Sequence, residues 1–453
     1  MSTRVAAVDL GATSGRVALV DLDALSLEVV HRFANGPVRD TAGDLRWPWE
    51  RIVGEVEAGL AAAIERGPVA SIGIDTWGVD YGLLDARGEL VAAPFSYRDR
   101  RTEDWRGLIE SLGIERIYAT TGIQMMALNT LCQLAFHDRS ELAPARRLLM
   151  LPELVVYGLT GVATGERTSA GTSQLVDIAT GDWSADLVEA IGVDPSILPP
   201  IVTAGSAAGH WRGVPVCLVG GHDTASAVAA LPDPAPGSVF VSLGTWALVG
   251  AERPMPDTSE AARLANFSNE PAVFSGVRFL KNVMGLWMLE QCRAQWNANT
   301  RQDLQDMLEA AACLPEGGPT VDARDERFAS SDDMEAEVRA ASGLGAAAGR
   351  DHVVRCILDS LAAAIAGVVA ETRTFLATPM PAVHVIGGGS RNRLLNRLIE
   401  QACGVPVKPG PAEATSLGNA MVQGIALGRF ADLGSARKNL ASSAAMLRNV
   451  TQG

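Results

Sequence analysis

Two short apolar runs, 5–10 and 16–21, flank the small-residue segment Gly11-Ala12-Thr13-Ser14-Gly15, and a third run follows at 27–33. Strands of this length broken by a Gly turn predict an antiparallel opening to the chain. Ile52, Val56, Leu60 and Ile64 then recur at helical spacing, which predicts a helix over 52–64. The apolar run 69–74 reads as a buried strand ending in Asp75-Thr76-Trp77-Gly78-Val79-Asp80, with Tyr81–Leu84 as a second hairpin arm. Helices are predicted over 103–112, 127–138 and 152–159, before a Thr/Ser/Gly-rich loop at 160–173. A strand at 214–219 turns through Gly220-Gly221-His222-Asp223-Thr224 into a helix at 225–231.

Pro232, Pro234 and Pro236 cannot sit inside a helix or central strand, so the domain boundary is placed there, giving domains 1–236 and 237–453. The second half restarts with the same device: Val241-Ser242-Leu243-Gly244-Thr245-Trp246 is again an apolar strand breaking at Leu-Gly into a small turn. Val353, Val354, Ile357, Leu358, Leu361, Ile365, Val368 and Val369 mark one apolar face of a long helix. The strand Val383–Ile386, the turn Gly387-Gly388-Gly389-Ser390, a helix at 393–403, a strand at 405–407 and a helix from Ala414 complete an α/β pattern.

Composition narrows the functional classes. With 47% hydrophobic and 20% charged residues, 453 residues fill two large globular domains with no low-complexity tract. A formal net charge of −14 argues against nonspecific binding to nucleic acid or to an anionic membrane, leaving a small molecule as the expected partner. No basic leader with a cleavage site is seen and no apolar run is read as long enough to span a bilayer, so a cytoplasmic location is expected. Cys132, Cys217, Cys292, Cys313, Cys356 and Cys403 are far apart with no Cys-x-x-Cys, and are expected to be buried free thiols without zinc.

The paired Gly turns carry the chemistry. Glycine lets backbone N–H groups approach an anion, and the hydroxyls of Thr13, Ser14, Ser242 and Thr245 add uncharged donors, so two such turns suit one triphosphate. Either turn alone reads equally as an ordinary hairpin. Asp9 beside a phosphate turn is repulsive unless a cation intervenes, which makes it a candidate Mg²⁺ ligand; its plainer reading is a strand-end carboxylate bonding the turn. Arg16 is then a phosphate contact or a surface charge. Gly387 to Gly389 offer a bare backbone shelf between strand and helix, or a tight turn. Asp223 in isolation reads first as a helix N-cap and second as a general base.

Taken in order, Asp9 to Arg16, Gly221-His222-Asp223-Thr224, Ser242 to Trp246, Gly387 to Ser390 and Glu413 to Asn419 resemble the FGGY carbohydrate kinases of the actin-like ATPase superfamily, over nearly the whole chain. The resemblance implies two ribonuclease-H-like α/β domains with mixed five-stranded sheets around a central cleft, sugar on the first domain and nucleotide on the second. It implies ATP as co-substrate, Mg²⁺ at Asp9, and Asp223 as general base, the cap and base roles being compatible. The ATP contacts it implies are Ala12, Thr13, Ser14, Gly15, Arg16, Thr245, Glu290 and Gly388. Its sugar contacts are Asp75, Trp77, Gly78, His222, Thr224 and Asn282, with core packing as the alternative for Trp77. Asp-Thr-Trp-Gly-Val-Asp at 75–80 is similar to members acting on 6-deoxy ketohexoses, which implies L-rhamnulose phosphorylated on O1. L-Fuculose or a pentulose on the same machinery is the alternative, and a non-catalytic sugar sensor the more distant one. Glu290 departs from the Gln of that group, and an ionised carboxylate cannot donate a hydrogen bond to adenosine.

Overall fold

The computed structural model describes residues 3–328 and 331–443. The described residues of Met1–Asp233, Glu252–Phe279 and Ala414–Leu447 form one compact unit, and those of Pro234–Ala251 and Leu280–Glu413 another. The chain thus returns to the first unit at Ala414.

In the first unit a six-stranded mixed sheet runs Ala207–Trp211, Val214–His222, Ile72–Thr76, Arg4–Leu10, Ser14–Asp21, Ser26–Ala34. The middle three strands are parallel, with Ala6 opposite Ile72 and Val216 opposite Ile72 on the other side. The outer pairs are antiparallel, as predicted for the opening hairpins but not for Ala207–Trp211, which no pattern anticipated. The sheet has one strand more than the expected five, because Ala207–Trp211 hairpins onto the edge of Val214–His222. Parallel strands end together, so Asp9 lies in register with Asp75, and His222 with Thr76. The carboxyl ends of adjacent parallel strands are where open α/β sheets place their ligands.

Two helices fix this sheet. Trp49–Glu65 buries Ile52, Val56 and Leu60 of the predicted stripe, with Ala63 fully buried and the expected Ile64 only half-buried. Ala414–Ala426 crosses Asp223–Ala229 at Gly418, where a Cβ would collide with the Ser226 carbonyl, and its Gln423 donates to Ala6 O at 3.0 Å. That close approach requires glycine.

Several predicted elements shift. Tyr81–Leu84 does not hairpin onto the preceding strand but pairs antiparallel with Arg147–Met150, because Val79 takes a φ of +71° and turns the chain away. The strand predicted at 214–219 extends to His222, so the helix begins at Asp223 and His222 is the N-cap; Asp223 occupies the first helical position and is not the cap. The predicted loop at 160–173 contains a short helix, Arg167–Ala170, capped by the Glu166 side chain. Ile114–Thr121 is a helix the pattern did not predict. The strand expected at 405–407 is Val407–Pro409.

In the second unit Val239–Leu243 lies between the antiparallel Trp246–Arg253 and the parallel Val383–Ile386, which pairs with Val407–Pro409. The same arrangement of hairpin beside parallel strands therefore recurs. Arg350–Thr374 corrects the reading of apolar runs: by length and composition this helix is apolar enough to cross a membrane, but 67% of that window is buried inside the fold, as in a core helix. All six cysteines are free, with Cys313 exposed and Cys403 half-buried instead of buried.

Candidate active site

The first unit gathers three carboxylates at the ends of its parallel strands. Asp9, 4% exposed, has its Oδ2 3.6 Å from Arg16 Nε and accepts from the Ser416 hydroxyl at 3.5 Å. Arg16 is Asp9's neighbour across the hairpin, which places its guanidinium here and not out on the surface. Asp75 is fully buried; its Oδ2 accepts from Asn419 Nδ2 at 2.6 Å, while its Oδ1 has no hydrogen-bond partner. Burial, and then the charge of Asp9, push the Asp75 carboxyl well above its ordinary range, with Asn419 opposing. Asp75 is also within electrostatic reach of Asp223.

Asp223 opens its helix with a partly exposed side chain. Its Oδ1 accepts from Thr224 Oγ1 at 3.2 Å and lies 3.4 Å from His222 Nε2. Burial raises its pKa, and the neighbouring His222 and Thr224 resist the rise. Behind it, His222 Nδ1 lies 3.1 Å from Glu270 Oε2, which pairs with the fully buried Arg278 at 3.0 Å. The Arg278 charge holds Glu270 low against the upward push of burial.

The 75–80 loop is built more rigidly than its sequence suggests. Trp77 is 6% exposed, with its ring 4.1 Å from that of Trp47, and both indole N–H groups donate to Asp80 Oδ2, at 2.9 and 2.7 Å. The core alternative for Trp77 therefore describes its packing. Burial raises the Asp80 carboxyl to about 6 against the donors that hold it. Val79, a β-branched residue at φ +71°, is held by three hydrogen bonds. Its N–H donates to Thr172 Oγ1 at 3.1 Å, and its carbonyl accepts from Thr130 Oγ1 at 2.7 Å and Gln133 Nε2 at 3.2 Å. Strain of this kind persists only where the surroundings over-determine it. It fixes Gly78, whose bare Cα faces Thr172 with 3.0 Å for an added Cβ.

At the first hairpin, Gly11 N–H closes on Ser14 O at 3.0 Å and Asn35 Nδ2 braces Gly11 O at 2.9 Å. Thr13 is exposed, Ala12 and Ser14 are half-buried, and Gly15 is required because a Cβ would strike the Phe33 ring. In the second unit the matching turn is tied by Leu286 N–H to Gly244 O (2.8 Å) and Gly285 N–H to Thr245 O (3.1 Å). Thr245 Oγ1 donates to Glu290 Oε2 at 3.4 Å, so the carboxylate has a hydroxyl to accept from. Asn282 is half-buried on Val277–Met284. The Gly triplet divides by cause: Gly387 has φ +83°, a Cβ on Gly389 would strike Leu243, and Gly388 is exposed with nothing within 4 Å.

The first unit thus brings together Asp9, Arg16, Asp75, His222, Asp223 and Thr224. Thr245, Asn282, Glu290 and Gly388 belong to the second. Sequence reasoning missed Glu270, Arg278, Glu153 and Glu166, which reach the 220–223 turn from dozens of residues away and leave no local pattern. Among the described residues no group of three or more His, Cys, Asp or Glu is disposed to hold a metal by itself.

The FGGY N-terminal domain matches residues 5–233 and the FGGY C-terminal domain residues 239–427, so the chain belongs to the FGGY family of carbohydrate kinases. It is 38% identical to the rhamnulokinase of Klebsiella pneumoniae (strain 342) over 97% of this chain and 93% of that one. It is 39% identical to the rhamnulokinase of Pectobacterium carotovorum over 96% and 90%, and 37% identical to that of Bacteroides thetaiotaomicron over 96% and 93%. Among solved structures, the ligand-bound xylulose kinase of Lactobacillus acidophilus shares the fold, with a TM-score of 0.76 over 99% of this chain and 97% of that one at 15% identity. The xylulose kinase of Rhodospirillum rubrum does so with a TM-score of 0.74 over 99% and 97% at 19% identity.

Proposed function

We propose that the protein transfers the γ-phosphoryl group of ATP to O1 of L-rhamnulose, with Asp223 as general base. The observation that carries the chemistry is the placement of Asp223. It stands at the carboxyl end of a parallel strand beside Asp9, Asp75 and the first Gly hairpin, partly exposed while its support is buried. The choice of sugar rests on the rhamnulokinases named above and on the loop 75–80.

Phosphoryl transfer proceeds through a loose transition state, so the protein chiefly aligns the groups and spreads charge. Asp223 accepts the O1 proton as that oxygen bonds to the γ-phosphorus and ADP departs. His222, Thr224 and Gly78 line the sugar side in this reading, with Trp77 and Asp75 holding the loop from within, and Asn282 is assigned to the sugar from the second unit. Ala12, Thr13, Ser14, Gly15, Arg16 and Thr245 present donors to phosphate. Gly388 is the member of the triplet whose missing side chain the fold does not require, which supports its assignment to the nucleotide, and Glu290, beside Thr245, is the further assigned contact, as an acceptor.

A divalent cation suits the same donors. The buried Asp9 and Asp75 stand side by side with an unpartnered oxygen on Asp75, a negative excess that a cation would relieve. Asp9 would hold Mg²⁺, alone or through water, with phosphate oxygens completing the set, and the ion would offset charge on the transferring group.

The Asp223→Asn variant tests the base. Turnover is expected to fall at least about 100-fold with ATP binding and melting temperature retained. Near-normal turnover would remove Asp223 from the mechanism.

A further inference from the structure

The strand that delivers Asp223 loses its sheet partners just before it ends. Val216, Cys217 and Leu218 pair regularly with Ile72, Gly73 and Ile74, but the register then slips, and pairing resumes only at His222 opposite Thr76. The backbone of Gly220 and Gly221, two residues with no side chains to pack, must therefore be held by something other than the ladder.

Glu166 does this. Its Oε2 accepts from the Gly221 N–H at 2.9 Å, and from Thr168 Oγ1 at 2.5 Å. The same Thr168 hydroxyl oxygen accepts the His222 N–H at 3.2 Å. Two successive N–H groups leading into Asp223 are thus fixed, one directly by Glu166 and one through Thr168. Oε2 also caps Arg167–Ala170 by accepting from Thr168 N (2.8 Å) and Ser169 N (3.3 Å). A cap needs only those two local bonds; the two to the catalytic turn span 55 and 54 residues and serve the turn. Glu153 backs the arrangement: its Oε1 accepts from Ser169 Oγ at 2.7 Å and from Glu166 N at 3.2 Å. Both carboxyls converge on Gly221, where an added Cβ would meet Glu153 Oε1 at 3.1 Å and Glu166 Oε2 at 3.2 Å. Both glutamates are 1% exposed, so these bonds are not shared with bulk water.

We propose that Glu166, acting with Thr168, is a positioning residue for the catalytic turn, holding the Gly221 and His222 N–H groups so that Asp223 points at the acceptor hydroxyl. The inference rests on the reading of Asp223 as the base. A capping carboxylate alone has no reason to affect the chemical step, whereas a base displaced by about 1 Å can lose on the order of 100-fold in rate.

Glu166→Gln keeps the size of the side chain, but an amide oxygen carries less negative charge than a carboxylate oxygen and is the weaker acceptor, so the bond from the Gly221 N–H weakens. The full-length variant is expected to fall about 10-fold or more in kcat with KM for sugar and for ATP within about 3-fold, the pattern of an interaction expressed in the transition state. Thr168→Val, which removes the hydroxyl that links Glu166 to the His222 N–H, should follow the same pattern, and Thr168→Ser should restore it. Placed on Asp223→Asn, Glu166→Gln should cost little more, because the group it positions is already gone. A folded Glu166→Gln enzyme with parental kcat overturns the proposal. If that variant does not fold, Thr168→Val decides: unchanged kcat, or a loss that Thr168→Ser fails to repair, overturns it equally. Near-normal turnover of Asp223→Asn would overturn the base assignment and this inference with it. An impaired Asp223→Asn beside full-speed Glu166→Gln and Thr168→Val overturns this inference alone.

Discussion

Burial pushes up the carboxyls of both glutamates beneath the 220–223 turn, and for Glu153 the shift is large. Burial, and then the charge of Glu166, raise its carboxyl from the ordinary 4.5 to about 8, with the Ser169 hydroxyl opposing. The folded state therefore binds the proton more tightly than the unfolded chain does. The stability this confers is fully present below pH 4.5 and is lost as pH rises through about 8. Gln reproduces the protonated shape without a charge to bury. Between pH 5 and 9 the melting temperature of Glu153→Gln is expected to gain progressively on the parent; parallel curves would contradict this protonation state. Asp9, Asp223 and the Gly triplet each sit in a short motif, so the sequence alone offers them as candidates. Glu166, Glu270 and Arg278 were not legible there, because they contact the 220–223 turn from 55, 48 and 56 residues away, through pairings that only folding creates.

Strands and helices were legible where periodicity was strong: the opening hairpin, Trp49–Glu65, Arg350–Thr374 and Arg393–Cys403 lie where the apolar spacing puts them. The pattern failed at the acceptor loop, where Tyr81–Leu84 leaves for another partner. The cause is the left-handed Val79, a conformation that a β-branched residue does not advertise. Because Thr172 Oγ1 holds the Val79 N–H, Thr172→Val should lose about 1–2 kcal/mol of stability through the unsatisfied buried donor. It is also expected to raise KM for the sugar several-fold while leaving that for ATP unchanged. Equal changes in both, or none, would separate the loop from sugar binding.

Over the whole molecule, the recurrence of hairpin plus parallel strands in each unit was legible as the repeated Leu-Gly turn. The return of Ala414–Ala426 to the first unit was not, because Gly418 and Gln423 act there through packing and not through any motif. The proposed assignment of Gly388 to the nucleotide and not to the sugar predicts separable binding. Gly388→Val, at a position with room for a side chain in the fold, should weaken binding of an ATP analogue by calorimetry about 10-fold or more and leave sugar affinity and melting temperature unaltered. Unchanged nucleotide affinity would make the triplet a turn and nothing else. The central claim, a kinase for L-rhamnulose, is tested most directly by ADP release with Mg²⁺ and ATP across L-rhamnulose, L-fuculose, L-xylulose, D-ribulose and glycerol. The account predicts the highest kcat/KM for L-rhamnulose, with phosphate on O1 of the product. A higher value for any other acceptor, or no turnover with all five, would contradict it.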